Sequence, residues 1–245
     1  MKKHELEVLT EELNEIKLFR MASSLEEQFR SKDFDRIDHI ELLKRIIDPE
    51  YEAKTSKQYE NRLMRANLSG APQTIDSCID SAERAYLPTG IVDTLASNDF
   101  IQDGLNVCIL GPSDSGKSYL AKALGIQACL KYRTSYHHCE PFLEYLVSLK
   151  ENDYPKYQKK SGSFSKMDLL ILDDFLLHTI TDERETKVLF EILEKRSELN
   201  KSTIVCSQRE PKSWKAMILN DEVSANAIMK RVTKHYTVVI QSKST

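Results

Sequence analysis

The residues best able to do chemistry lie together at 111–118, GPSDSGKS, between the apolar run VCIL and the helix-like YLAKALGIQACLKY. The octapeptide fits G-x-x-x-x-G-K-[ST], and each fixed position has a mechanical use. Gly111 and Gly116 let successive backbone N–H groups turn inward around phosphate oxygens, and the positive end of the following helix faces the same anion. Lys117 reaches the β- and γ-phosphates, and the Ser118 hydroxyl can ligate Mg²⁺. Pro112, Ser113, Asp114 and Ser115 complete the wall of the cradle, and Tyr119 continues into the helix behind it. The ligand that this chemistry calls for is a nucleoside triphosphate with Mg²⁺.

Two further groups extend the constellation. The run Asp168-Leu-Leu-Ile-Leu-Asp173-Asp174 is an apolar strand ending in two carboxylates, at the sheet edge where a phosphate loop lies. Asp173 is placed to hold the Mg²⁺ shell, and Asp174 to orient or deprotonate the attacking water. Paired acids at a strand end also cap the next helix, but with the loop upstream they share its purpose. STIVCSQ ends another strand in Gln208, whose amide can contact a γ-phosphate or the lytic water. Alone, such a residue is ordinary turn chemistry.

Positioning these groups is the task of short apolar strands alternating with helical segments: VCIL, TSYHH, LLIL, STIVCS and YTVVI. Strands apolar on both faces and bounded by helices specify a parallel sheet covered on two sides, so the expected class is α/β with a doubly wound parallel sheet. Ahead of it, from Leu6 to about Ile47, apolar residues recur three or four apart (Leu6, Leu9, Leu13, Ile16; Ile37, Ile40, Leu43, Ile47), the spacing of helices with one buried stripe. Asp48-Pro49 punctuates the run, and proline at a first helical position opens another helix, exposing Lys54, Lys57, Arg62 and Arg65. LSGAPQT at 68–74 reads as a linker. The expected domains are therefore a small all-helical one at 1–68, a linker with a lead-in helix at 69–104, and the nucleotide-binding domain at 105–245.

Composition agrees with a globule: 245 residues, 40% hydrophobic, suffice for a buried core. The absence of a run of about 18 apolar residues, and an N-terminus too acidic for a signal peptide, point to the cytoplasm and away from membranes. The five cysteines, Cys78, Cys108, Cys129, Cys139 and Cys206, form no CxxC pair and read as buried thiols. His137, His138 and Cys139 are adjacent, but strand neighbours point to opposite faces and do not converge on one metal ion. The net charge of −3 is uneven: residues 1–104 hold 14 Lys and Arg against 21 Asp and Glu, and residues 105–245 hold 21 against 17. The positive half is the one with the phosphate loop.

The order GPSDSGKS, LLILDD, STIVCSQ, Glu210-Pro-Lys-Ser-Trp214, then AIMKRVTKH resembles the IstB-like AAA+ ATPases, helper proteins of insertion-sequence transposition, and more distantly the DnaC-type helicase loaders. The resemblance covers nearly the whole chain, because QYENRLMRA at 58–66 is also similar to the family's segment ahead of the linker. It implies that Gly116, Lys117 and Ser118 bind ATP and Mg²⁺, that Asp173 and Asp174 are the acidic pair, and that Gln208 is the sensor. It also implies that Arg231 faces a neighbouring subunit's γ-phosphate as a finger supplied in trans. A transferring phosphoryl group needs a cation, and no other arginine lies in a helix between the sensor strand and the last strand. Two departures stand out. Asp174 occupies a position that is Glu in many relatives, which implies slow or assembly-dependent hydrolysis, and the chain stops too soon after Arg231 for the helical lid of most AAA+ proteins.

What the resemblance implies for function is an oligomeric ATPase that grips duplex DNA without reading its sequence and recruits a transposase. Such DNA would be held through its phosphates by lysines and arginines. The candidates are Lys156, Lys159 and Lys160, in the insertion before the acidic strand, and Arg62 and Arg65 before the linker. No helix-turn-helix, zinc finger or RNA-binding motif is present. A DnaC-like replicative helicase loader, and a nucleotide-gated scaffold with negligible hydrolysis, are the alternatives left open.

Overall fold

The five apolar runs form strands as expected, and a sixth strand joins them. The computed structural model describes residues 2–218 and 222–242, so the extreme ends of the expected domains lie outside the described residues. The strands are β1 (Arg84–Leu87), β2 (Val107–Leu110), β3 (Thr134–His138), β4 (Leu169–Asp173), β5 (Ser202–Ser207) and β6 (Tyr236–Ser242). They form one sheet in the order β1-β6-β2-β5-β4-β3. All neighbours pair in parallel except β1, which runs antiparallel to β6 with Arg84 opposite Ser242. The sheet is thus doubly wound and parallel, with one antiparallel edge strand taken from the expected linker region.

Alternation along the strands divides the core into two layers. Cys108, Leu110, Leu170, Leu172 and Val205 face a cluster with Leu146, Leu189, Ile192, Trp214 and Ile228. These come from α7 (Cys139–Asn152), α9 (Glu183–Glu198), the 3-10 turn Pro211–Met217 and α10 (Glu222–Val232). Val107, Ile109, Leu169, Ile171 and Ile204 point the other way and are equally buried. That face is covered by α6 (Lys117–Ala128), with α4 (Ile91–Ala96) packed on it. α5 (Asp99–Gln102) follows α4. All five cysteines are free and buried.

The expected insertion before the acidic strand is helical: α8 (Tyr154–Ser165) starts where the Asp153 carboxylate accepts the Lys156 N–H, with proline in its first turn. The fully buried Arg196 closes the far end of α8 by donating to the carbonyls of Phe164 and Met167, and it also bonds the Thr203 hydroxyl and the Ser202 carbonyl. α8 and β5 are thereby tied to the same side chain.

The chain divides into two compact units, Met1–Asn61 and Arg62–Thr245. Within the first, α1 (Lys2–Glu15) packs on α2 (Phe19–Arg30), and α3 (His39–Arg65) runs through Pro49 without a break. The expected helix start at Pro49 is therefore corrected. Pro49 forfeits one backbone hydrogen bond, but Glu50 beside it is buried and its Oε2 accepts the N–H groups of Arg20 and Met21, which the N-cap residue Leu18 has no polar side chain to satisfy. The expected buried stripe is also corrected: Leu9, Ile16, Ile40, Leu43 and Ile47 are between 44% and 65% exposed.

The second unit begins earlier than the expected linker because Arg62–Leu68 is fastened to it. Arg62 Nη1 donates to the carbonyls of Cys129 and Leu130, the Ala66 carbonyl accepts the Tyr136 N–H, and Asn67 Nδ2 donates to the Tyr136 carbonyl. Ala66 and Leu68 are buried.

Candidate nucleotide-binding site

The loop 111–118 joins the carboxyl end of β2 to the start of α6. Asp114 and Gly116 both adopt positive φ, 57° and 98°, a geometry that turns consecutive N–H groups into a concave nest. Gly111 is required for lack of space, and Gly116 for its left-handed backbone. A Cβ on Gly111 would lie 2.7 Å from the Ile240 carbonyl and 2.7 Å from Ser115 Oγ, and one on Gly116 would lie 2.9 Å from Arg84 Cζ. Inside the nest, Ser115 Oγ is buried without a hydrogen-bond partner. Lys117 is 7% exposed and its Nζ donates to the Pro112 carbonyl at 2.6 Å, so the loop's own backbone holds the ammonium. Burial pulls the Lys117 pKa below its usual value, against the opposing pull of its neighbours, among them Asp173, Asp174 and Asp114. A buried cation at a nest of N–H groups, with an orphaned hydroxyl, fits a phosphate chain.

The acidic pair ends β4, two strands from the loop in the sheet. Asp173 is completely buried; Oδ2 accepts the Tyr136 hydroxyl at 2.5 Å and Oδ1 accepts the Asp174 N–H at 3.0 Å. Asp174 turns outward in a left-handed conformation, φ 54°, and its Oδ2 lies 2.9 Å from His138 Nδ1. Between loop and acids, β5 ends in Ser207 and exposed Gln208. The turn that carries Gln208 is pinned by Trp214, fully buried, whose Nε1 donates to the Arg209 carbonyl and whose ring meets Phe175 at 5.1 Å. Loop, acids and amide therefore share the carboxyl edge of three neighbouring strands. Ser118 and Asp173 offer the hard oxygen ligands that suit Mg²⁺.

Arg231 belongs to the opposite edge. Its carbonyl accepts from Asn106 Nδ2 at 2.8 Å, and Asn106 directly precedes β2, whereas Gly111 directly follows it. The five residue steps between those points span roughly 16 Å. The guanidinium bonds the Ala227 carbonyl at 3.1 Å and Glu194 at 3.2 Å, and stacks 4.9 Å over the Phe190 ring. Lys156, Lys159 and Lys160 are exposed on α8, whose Tyr157 is buried, and Arg65 is exposed while Arg62 is engaged as described above.

Residue-by-residue reasoning missed Tyr136, His138 and Arg84 as neighbours of the site. The alternation in TSYHH puts Tyr136 and His138 on one face, where their rings meet edge-on at 5.6 Å, while His137 turns to the Phe142 and Phe164 rings. Among the described residues no helix is long and apolar enough to cross a membrane.

Residues 11–245 match the family model described as IstB-like ATP binding protein. The "Putative insertion sequence ATP-binding protein y4pL" of Sinorhizobium fredii is 30% identical over 222 residues, covering 91% of this chain and 88% of the relative. Among solved structures, the chain is similar in fold to AMPPCP-bound DnaA from Aquifex aeolicus (TM-score 0.55, 21% identity, 70% of this chain and 50% of that one). It is likewise similar to the DnaC helicase loader (TM-score 0.55, 16% identity, 70% of this chain and 98% of that one).

Proposed function

Because the chain belongs to the IstB-like ATP-binding protein family, we propose that it is an ATPase that oligomerises on duplex DNA and recruits a transposase. The observation that carries this is the meeting, on one sheet edge, of a lysine parked on its own loop carbonyl and a buried aspartate held by two hydrogen bonds. In this reading Lys117 leaves the Pro112 carbonyl for the β- and γ-phosphates of bound ATP, and the N–H groups of the nest take the remaining oxygens. Ser118 and Asp173 hold Mg²⁺, which supplies charge neutralisation at the phosphate oxygens when bound. Tyr136 keeps the Asp173 carboxylate turned inward, and Asp174, steadied by His138, orients the attacking water. Gln208 contacts the γ-phosphate side.

Arg231 supplies the remaining cation to a neighbour. Its engagement at the amino edge of its own sheet supports action in trans, since its own loop opens at the carboxyl edge. DNA is held without sequence reading by Lys156, Lys159 and Lys160 on the exposed side of α8, with Arg65 and Arg62 as further candidates.

The test is steady-state ATP hydrolysis with and without random-sequence duplex, alongside direct nucleotide binding. Duplex should raise turnover, Lys117→Ala should bind no ATP, and Arg231→Ala should bind ATP yet lose hydrolysis and assembly. Stimulation by single strands alone would move the function to helicase loading, and normal turnover by Arg231→Ala would remove the finger.

A further inference from the structure

β1 brings a second cation to the phosphate loop. Its first residue, Arg84, pairs with Ser242 at the carboxyl end of β6, so the start of this antiparallel strand lies on the same sheet edge as the loop. The turn before it is tightly tied: Ser81 N donates to the Arg84 carbonyl at 2.8 Å, Ser81 Oγ accepts the Arg84 N–H at 3.1 Å, and Asp80 Oδ1 accepts the Tyr86 N–H at 2.7 Å. The Arg84 guanidinium, half-buried, lies against Gly116: Cζ, Nη1 and Nε are 2.9, 3.0 and 3.3 Å from where a Cβ would stand. Among the described residues no carboxylate forms an ion pair with it. A guanidinium fixed beside a nest of N–H groups and Lys117, with no acid to balance it, is an arrangement that an anion completes.

Topology says which part of the nucleotide it meets. The acidic pair and Gln208 end β4 and β5, on one side of β2, so the γ-phosphate must point that way. The α-phosphate and nucleoside then leave the loop on the other side, toward β6 and β1, where Arg84 stands. We propose that Arg84 is a nucleotide-binding residue acting within its own subunit, bonding the α-phosphate end of a nucleoside di- or triphosphate from outside the loop. This rests on the loop being the ATP site.

Calorimetric titration of the full chain with ADP and with ATP, in the presence of Mg²⁺, tests it. Arg84→Ala should weaken both nucleotides by the same factor, about 10- to 100-fold, as for loss of a charge-assisted hydrogen bond to phosphate. Arg84→Lys should recover part of the loss, because it keeps the charge and loses the planar fork. The melting temperature without nucleotide should stay within a few degrees of the parent for the lysine variant, which therefore serves even where alanine unfolds. In steady-state hydrolysis the loss should fall on KM for ATP more than on kcat, the mark of binding shared by ground and transition states. Unchanged ADP affinity in both variants, with the parent binding normally, overturns the assignment of Arg84 alone; a loss confined to ATP overturns its placement at the α-phosphate. A parent chain that binds neither nucleotide overturns the reading of the loop, and this inference with it.

Discussion

Substituting Glu194→Gln asks whether Arg231 is held back for a neighbour. In the isolated chain the Arg231 guanidinium is held by Glu194 at 3.2 Å, with the two side chains 25% and 44% exposed, and by the Phe190 ring. An ion pair that exposed is worth about 0.2–1 kcal/mol, and the ring contact about 0.5–1 kcal/mol. A subunit whose triphosphate needs this arginine must first break the pair. Removing the charge of Glu194 while keeping its shape deletes the first contribution and leaves the second, so assembly becomes easier by at most about 1 kcal/mol, or roughly fivefold in concentration. The assay is specific ATPase activity against protein concentration in the presence of duplex DNA, with sedimentation velocity on the same samples. Glu194→Gln should reach half-maximal activity at a lower concentration than the parent, down to about one fifth of it, with the same plateau, and the gap should narrow in high salt as the parent's pair is screened. If the midpoint is unchanged or higher while the plateau is intact, Arg231 is not withheld by Glu194 and the argument for release fails.

Three further outcomes follow from the same geometry. Tyr136→Phe removes only the hydroxyl that Asp173 accepts in a fully buried place; stability should fall by about 1–3 kcal/mol, read by urea titration, and half-maximal activity should require more Mg²⁺. Charge reversal of Lys156, Lys159 and Lys160 should weaken duplex binding evenly across sequences and flatten its salt dependence by up to about three phosphate contacts, checked by anisotropy titrations at several salt concentrations. Burial, with smaller contributions from His138 and Lys160, holds the His137 imidazole down to about 4 against an ordinary 6.5. The unfolded chain takes up a proton that the fold refuses, so this stability is complete above pH 6.5 and drains away as pH falls toward 4, by at most about 3 kcal/mol. His137→Gln should lose that part of the pH slope in urea unfolding between pH 7 and 5; parallel slopes would refute it.

The central parallel strands were legible because VCIL, LLILD and STIVCS are buried along their whole length, and the loop because its glycines and lysine sit at fixed spacing between a strand and a helix. β1 was not legible. RAYL buries only Tyr86 at an edge, and nothing local announces that a strand will fold back antiparallel. α8 carried a readable start, Asp153 followed by a proline, but its polar surface hid the helix. Pro49 misled in the other direction, since its effect on α3 depends on Glu50 reaching α2, a contact thirty positions away in the chain. At the site itself, the acids and the amide were visible as strand ends. Tyr136, His138 and Arg84 were not, because their roles come from which strands lie side by side, and strand order is a property of the whole sheet.

The placement of loop and arginine on opposite edges of one sheet has a directional consequence. If each subunit's guanidinium completes the next subunit's site, the contact joins unlike surfaces, and repetition yields either a closed ring or an open helix. An open helix has polarity: one terminal protomer keeps a nucleotide that no neighbour can finish, and the other offers a guanidinium with nothing to serve. Its two tips would differ in how long they retain ATP, giving the array a front and a back along DNA.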